Sequence, residues 1–256
     1  MLTMPTRDNL NKIVVLNPKG GCGKSTLVTN LAARYAQQGP APVVMDFDPQ
    51  GSSMAWLDRR SPDLPAIHGI AAFKKSMHAT RSWQLRIPGN ASNVLVDSPA
   101  SINHDSLREL TRDATSILVP VLPSSMDIHA ASRCIADLLL VAKVDRRDRK
   151  LAVVANRTRK NTKSFGRLMR FLDSLGIPII AVLRDSQNFV QAAEQGTGLC
   201  EMQPSRVRQD LEQIDRIVDW LNAWPERRRD TAPAKRTRSK PFSARSVLRR
   251  PQFGSA

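Results

Sequence analysis

The chain has 256 residues, 41% of them hydrophobic and only 5% aromatic, with a formal net charge of +16 and an isoelectric point near 10.8. That length is enough to bury one α/β core with residues to spare, and the absence of any run of about 18 apolar residues excludes a membrane-spanning helix. Cys22, Cys134 and Cys200 are odd in number and far apart, which excludes a disulfide framework or a Cys-x-x-Cys metal pair and fits a reducing cytoplasm.

Residues Met1 to Asn11 lack the apolar core of a signal peptide. Ile13-Val-Val-Leu16 predicts a first buried strand. Asn17-Pro-Lys-Gly-Gly-Cys-Gly-Lys-Ser-Thr26 follows, and then Leu27, Leu31 and Tyr35 share one helical face until Gly39-Pro40. A glycine-rich turn between a strand and a helix N-terminus aims backbone N–H groups and the positive end of a helix dipole at one point, which makes a phosphate site. In such a loop Lys24 neutralises the β/γ-phosphates and the Ser25 hydroxyl ligates Mg²⁺. Gly20, Gly21, Cys22, Gly23 and Thr26 contribute chiefly backbone.

Val43–Phe47 predicts a second strand, closed by Asp46-Phe-Asp-Pro-Gln-Gly-Ser52, with Ser52 or Ser53 as the cap of a short helix reaching Leu57. A short strand is expected over Pro65–Ile70 and a helix near Ala71–Thr80. Val94–Asp97, Ser116–Val121, Leu151–Ala155 and Pro178–Leu183 predict four further strands, with helices over Asp127–Val141 and Lys163–Leu175 between them. A last helix is expected from Pro204 or Ser205 to at least Trp220, since Val207, Leu211, Ile214, Val218 and Leu221 make one apolar face. The alternation predicts an α/β fold, a mostly parallel twisted sheet covered by helices on both faces, with ligands at the C-terminal ends of the strands. The domain is expected to span 1–224. Residues 225–256 hold ten Lys/Arg against Glu226 and Asp230, a net +8, with no periodicity, and are expected to form a disordered basic tail.

Lys-Gly-Gly-x-Gly-Lys-Ser, with Lys19 as a second lysine and Pro18 in place of the usual first glycine, resembles the deviant Walker A loop of the ParA/MinD family of P-loop ATPases. Asp46-x-Asp-Pro-Gln-Gly51 is similar to that family's first switch, and Val94-Leu-Val-Asp-Ser-Pro-Ala100 to its Walker B and second switch. The resemblance covers roughly residues 12–222. It implies that Lys19 reaches the partner's nucleotide across an ATP-bound dimer, that Asp48 orients the attacking water, and that Asp97 binds Mg²⁺ through water. It also implies that Asp46 is structural or near the metal and that Asn156 meets adenine. His68, His78, His104 and His129 have no ligand spacing.

The function so implied is a Mg²⁺-dependent ATPase of weak basal activity that dimerises on ATP and binds DNA of the nucleoid without sequence preference. It would position a cargo as a small adaptor protein stimulates hydrolysis. The cargo is a plasmid or chromosome, or a protein compartment such as a carboxysome or chemoreceptor cluster. The basic balance fits a polyanion. Arg184, Arg206, Arg208 and Arg216 are the expected DNA contacts. With about ten residues before the first strand, an operator-binding domain is not expected. A MinD-like membrane-surface ATPase is the alternative, though Phe242–Phe253 offers little apolar area for an anchor. A nitrogenase-like iron protein would need two cluster cysteines per subunit, and no carboxylate pocket of an amide synthase or biotin-pathway ligase is marked.

Overall fold

The computed structural model describes residues 10–73, 87–148 and 150–223. Seven strands, β1 (Asn11–Val15), β2 (Val43–Asp46), β3 (His68–Ala71), β4 (Asn93–Asp97), β5 (Ser116–Val121), β6 (Leu151–Thr158) and β7 (Ile179–Arg184), form one sheet in the order β3-β2-β4-β1-β5-β6-β7. All its pairings are parallel. The helices are α1 (Lys24–Ala36), α2 (Ser52–Asp58), α3 (His104–Thr111), α4 (Ser125–Leu140), α5 (Lys163–Ser174), α6 (Gln187–Gln195) and α7 (Pro204–Asn222), with 3₁₀ turns at Arg146–Asp148 and Leu199–Glu201.

Strand alternation divides the core in two. Val14, Val96, Val119 and Val153 face the layer holding Leu107, Ile135, Leu138, Leu168 and Leu172 of α3, α4 and α5. Ile13, Val15, Leu95, Leu118 and Val154 face Leu27, Leu31, Val207, Ile214 and Val218 of α1 and α7. Both faces of a parallel sheet are covered, so its strands read as continuous apolar runs. Each such leucine or isoleucine, removed from water, contributes about 1.5–3 kcal/mol.

Pro120 lies in central β5, where a missing N–H would normally break the ladder. β1 pairs with β5 only as far as Leu118. Beyond that point the first strand has turned away, and the Pro120 carbonyl accepts the Asn17 Nδ2–H at 2.7 Å instead. The proline therefore sits where the sheet opens to admit the loop after β1.

Several boundaries differ from those expected. Ala71 ends β3 rather than starting a helix, and 74–80, like the tail 225–256, lie outside the described residues. α3 and α6 were not foreseen, although Asn103 and Ser186 cap them by accepting the backbone N–H groups of Ser106 and Asn188. α2 is capped by neither Ser52 nor Ser53: Gly51 is its N-cap residue, and Asp46 Oδ2 accepts the N–H groups of Ser53 and Met54 at 3.1 and 3.2 Å. A carboxylate on the preceding strand does the capping because α2 starts directly above it. The buried face of α7 includes Ile217 and the charged Asp210, while Leu211 is only half-buried.

Gly196 ends α6 at φ +66°, and a Cβ there would lie 2.6 Å from both the Arg59 carbonyl carbon and the Arg60 nitrogen. Both obstacles are backbone and cannot step aside. Gly196→Ala is expected to lower the unfolding free energy by about 1–3 kcal/mol in urea titration. Gly39→Ala, at an exposed glycine with nothing within 4 Å, is expected to leave it nearly unchanged.

Candidate active site

The loop from Pro18 to Gly23 joins the C-terminal end of β1 to the N-terminus of α1. Two buried carboxamides hold it from behind. Asn17 ties Pro120 O to the Lys19 N–H, which its Oδ1 accepts at 2.9 Å. Asn156, at the end of β6, donates Nδ2–H to Cys22 O at 2.8 Å and accepts the Arg157 N–H at 2.9 Å. Gly23 adopts φ +95°, and a Cβ there would meet Asn156 Nδ2 at 2.2 Å, so both its conformation and its neighbour require glycine. Lys24 is buried, and its ammonium donates to Lys19 O at 3.3 Å, under the loop. Lys19 itself is half-buried.

Three carboxylates stand beside the loop with different duties. Asp46 is fully buried and consumed: Oδ1 accepts the Asp48 N–H at 3.0 Å, and Oδ2 caps α2. Burial pushes its carboxyl up, against three backbone N–H groups that hold it down. Asp48 accepts the Gln50 N–H at 3.0 Å and lines a cavity of about 1130 Å³ together with Gly21, Lys24, Ser25 and Thr26.

Asp97 ends β4 fully buried. Its Oδ2 accepts the Ser53 hydroxyl at 2.7 Å, and its Oδ1 has no partner among the described residues. Burial first, and then the charge of Asp46, pushes its carboxyl up to about 6, against the hydroxyls of Ser53 and Ser25 and the ammonium of Lys24. An orphaned carboxylate oxygen beside a serine hydroxyl is a hard oxygen donor set suited to Mg²⁺.

A second cavity, of about 620 Å³, adjoins the first. It is lined by Gly21, Gly23, Thr26 and Asn156 at one end and by Phe189, Val190 and Glu194 of α6 at the other. The structure thus gathers Gly20, Gly21, Gly23, Lys24, Ser25, Thr26, Asp48 and Asn156 around adjoining spaces, while Cys22 is buried beneath them. Burial raises the Cys22 thiol and pushes those of Cys134 and Cys200 up to about 12. All three are free thiols.

The four arginines expected at DNA are differently placed. Arg184 is held by both carboxylate oxygens of buried Asp210, at 2.5 and 2.9 Å, and Asp210 also accepts from Ser186 and Asn188. Arg206 donates to Gln191 Oε1 at 2.7 Å, Arg208 lies 3.6 Å from Glu212, and Arg216 is exposed on α7. Sequence reasoning missed Asn17, Ser53 and Asp210. Asn17 opens the loop motif and Ser53 follows the Asp46–Ser52 motif, but Ser53 and Asp210 act across 44 and 26 residues, on Asp97 and Arg184.

A parallel α/β sheet with a glycine loop and buried lysine at the end of its first strand, flanked by carboxylates on two neighbouring strands, defines a P-loop nucleotide-binding fold. The chain belongs to the CobQ/CobB/MinD/ParA nucleotide binding domain family, whose model matches residues 13–199; the ParA and MinD members are ATPases. It is similar to the maintenance of carboxysome distribution protein A of Halothiobacillus neapolitanus, 28% identical over 81% of this chain and 94% of that one. The septum site-determining protein MinD of Thermotoga maritima is 25% identical over 81% of this chain and 88% of its own. The fold matches a plasmid partition protein of Borrelia burgdorferi, solved bound to AMPPNP, with a TM-score of 0.63 and 11% identity, covering 82% of this chain and 99% of that one.

The Asp97 carboxyl has a folded pKa above its ordinary 3.8. The folded chain therefore keeps a proton where the unfolded chain has lost it, and the stability due to this group falls as pH rises from about 4 through about 6. In EDTA and without nucleotide, Asp97→Asn is expected to stabilise the protein at pH 8 by on the order of 1–3 kcal/mol. Melting curves should show that gain shrinking as pH falls below about 6.

Proposed function

We propose that the protein is a ParA-type positioning ATPase that dimerises on ATP, binds DNA without sequence preference and moves a cargo as an adaptor protein stimulates hydrolysis. The observation that carries this reading is the convergence of Lys24, Ser25, Asp48 and the unpartnered oxygen of Asp97 beside one loop whose glycines face the same cavity. Phosphoryl transfer to water requires mainly positioning and charge neutralisation, and these groups supply both.

Lys24 neutralises the β- and γ-phosphates from beneath the loop, and the loop N–H groups and α1 dipole bind their oxygens. Ser25 and Asp97 hold Mg²⁺, which when bound neutralises phosphate charge. Asp48 accepts a hydrogen bond from the attacking water and sets its line to the γ-phosphate, while Asp46 fixes the Asp48 backbone. Lys19 extends from the loop to the nucleotide of a second copy. Asn156 keeps one Nδ2–H beyond its bond to the loop, and that hydrogen is the adenine contact.

Arg184, oriented by Asp210, and Arg206, Arg208 and Arg216 of α7 contact DNA phosphates. The similarity across nearly the whole Halothiobacillus protein favours a protein compartment as cargo over a plasmid or chromosome. The similarity to MinD favours a membrane surface as the second reading. Liposome sedimentation against DNA gel shift separates the two.

Lys24→Ala is expected to abolish binding of a fluorescent ATP analogue; undiminished binding would remove the basis of this reading. Asp48→Ala should retain ATP and accumulate a dimer in size-exclusion chromatography, with turnover lost, whereas Lys19→Ala should bind ATP and stay monomeric. In gel shifts, wild type with ATP and Mg²⁺ should bind unrelated duplexes equally and weaken steeply with salt. ADP should weaken binding more than any change of sequence does. Identical DNA binding with ADP and ATP would mean that no switch exists.

A further inference from the structure

Arg59 and Arg60, side by side at the end of α2, have opposite fates. Arg60 is fully engaged. Its guanidinium forms a buried two-bonded pair with Glu201, donates to Gly196 O and Pro65 O at 3.3 and 2.9 Å, and lies 5.3 Å from the centre of the Trp56 ring. Glu201 in turn accepts the Gly198 N–H at 2.8 Å, and Trp56 donates its indole N–H to Thr197 O at 3.2 Å. The backbone of residues 59 and 60 is pressed against Gly196 so closely that no Cβ fits between them. This junction fixes the end of α2 to the segment after α6.

Arg59 is exposed, and the bond it makes is to a neutral group, the Ala193 carbonyl, at 3.2 Å. It borders both cavities of the active site, and Gly21, Gly23, Thr26 and Ala193 are the residues that border both with it. A guanidinium on a clamped backbone, facing a phosphate loop from another helix and bonded to no carboxylate among the described residues, lacks an anionic partner. Its planar fork matches phosphate oxygens.

We propose that Arg59 is a further phosphate-binding cation of the nucleotide site, beside Lys24 and unlike Arg157 and Arg184, which line the second cavity but pair with Asp185 and Asp210: a binding residue that leaves Ala193 O to take the phosphate chain of a bound nucleotide. The inference rests on the nucleotide reading above. Because Arg59 sits one helix beyond Asp48 on a backbone clamped to the segment after α6, its bond to phosphate ties a bound nucleotide to the fixed end of the helix that follows the first switch.

The test is competition of ATP, ADP and inorganic tripolyphosphate against a fluorescent ATP analogue, at low and high salt, for wild type, Arg59→Ala and Arg59→Lys. Arg59→Ala is expected to keep the wild-type melting temperature, since its side chain is exposed, and to weaken ATP, ADP and tripolyphosphate alike by about tenfold at low salt, less at high salt. Arg59→Lys should recover part of the loss. If wild type binds ATP and Arg59→Ala binds all three ligands as tightly, the inference is wrong and the nucleotide reading stands. A loss confined to ATP and ADP, with tripolyphosphate unchanged, would place Arg59 at the nucleoside and overturn the phosphate role. A wild type that binds no nucleotide overturns both.

Discussion

Two hydrogen-bonded asparagines decide whether this protein has a site at all. A loop that binds phosphate through its backbone must leave its N–H groups free to point outward, so something else must hold its shape. Asn17 and Asn156 do so from behind, one binding Pro120 O and the Lys19 N–H, the other binding Cys22 O and the Arg157 N–H. Each is buried, and each would cost free energy if left unpaired, so the loop and its two supports stabilise one another. Gly23 completes the arrangement, because any side chain there would displace Asn156.

The carboxylates show how one charge type is given three tasks by environment. Asp46 spends both oxygens on backbone N–H groups and so becomes part of the scaffold. Asp48 stays at the cavity wall. Asp97 is buried with one oxygen satisfied by Ser53 and the other left over, and burial pushes its carboxyl up. Ser53 links the ends of β2 and β4, since it lies on the helix capped by Asp46 and bonds Asp97.

On the other side of the cleft, α2, α6 and the turn before α7 are joined by Arg60, Glu201 and Trp56. α7 is joined to the end of β7 by Asp210, which gathers Arg184, Ser186 and Asn188. These ion pairs, the first buried and the second with only its aspartate buried, bring directional bonds to places where apolar contacts alone would allow sliding. The first of them ties α2 to the segment that leads into α7, the helix on which the exposed arginines sit.

The sequence by itself determined the fold class, the order of the strands along the chain and the loop. Buried parallel strands must be apolar throughout, a phosphate loop must be rich in glycine, and both demands are local. It also identified Asp46, Asp48 and Asp97 at strand ends, because a charge that closes an apolar run has few places to go. The helix-capping role of Asp46, the bond between Ser53 and Asp97, the service of Asn156 to the loop and the capture of Arg184 by Asp210 were decided only in three dimensions. The last three join residues that the fold brings together from far apart in the chain, the first depends on α2 starting directly above the strand end, and no periodicity records any of them. Asp210 illustrates the reason: along α7 it reads as one more exposed charge, and only the packing of that helix against β7 turns it inward to meet its arginine.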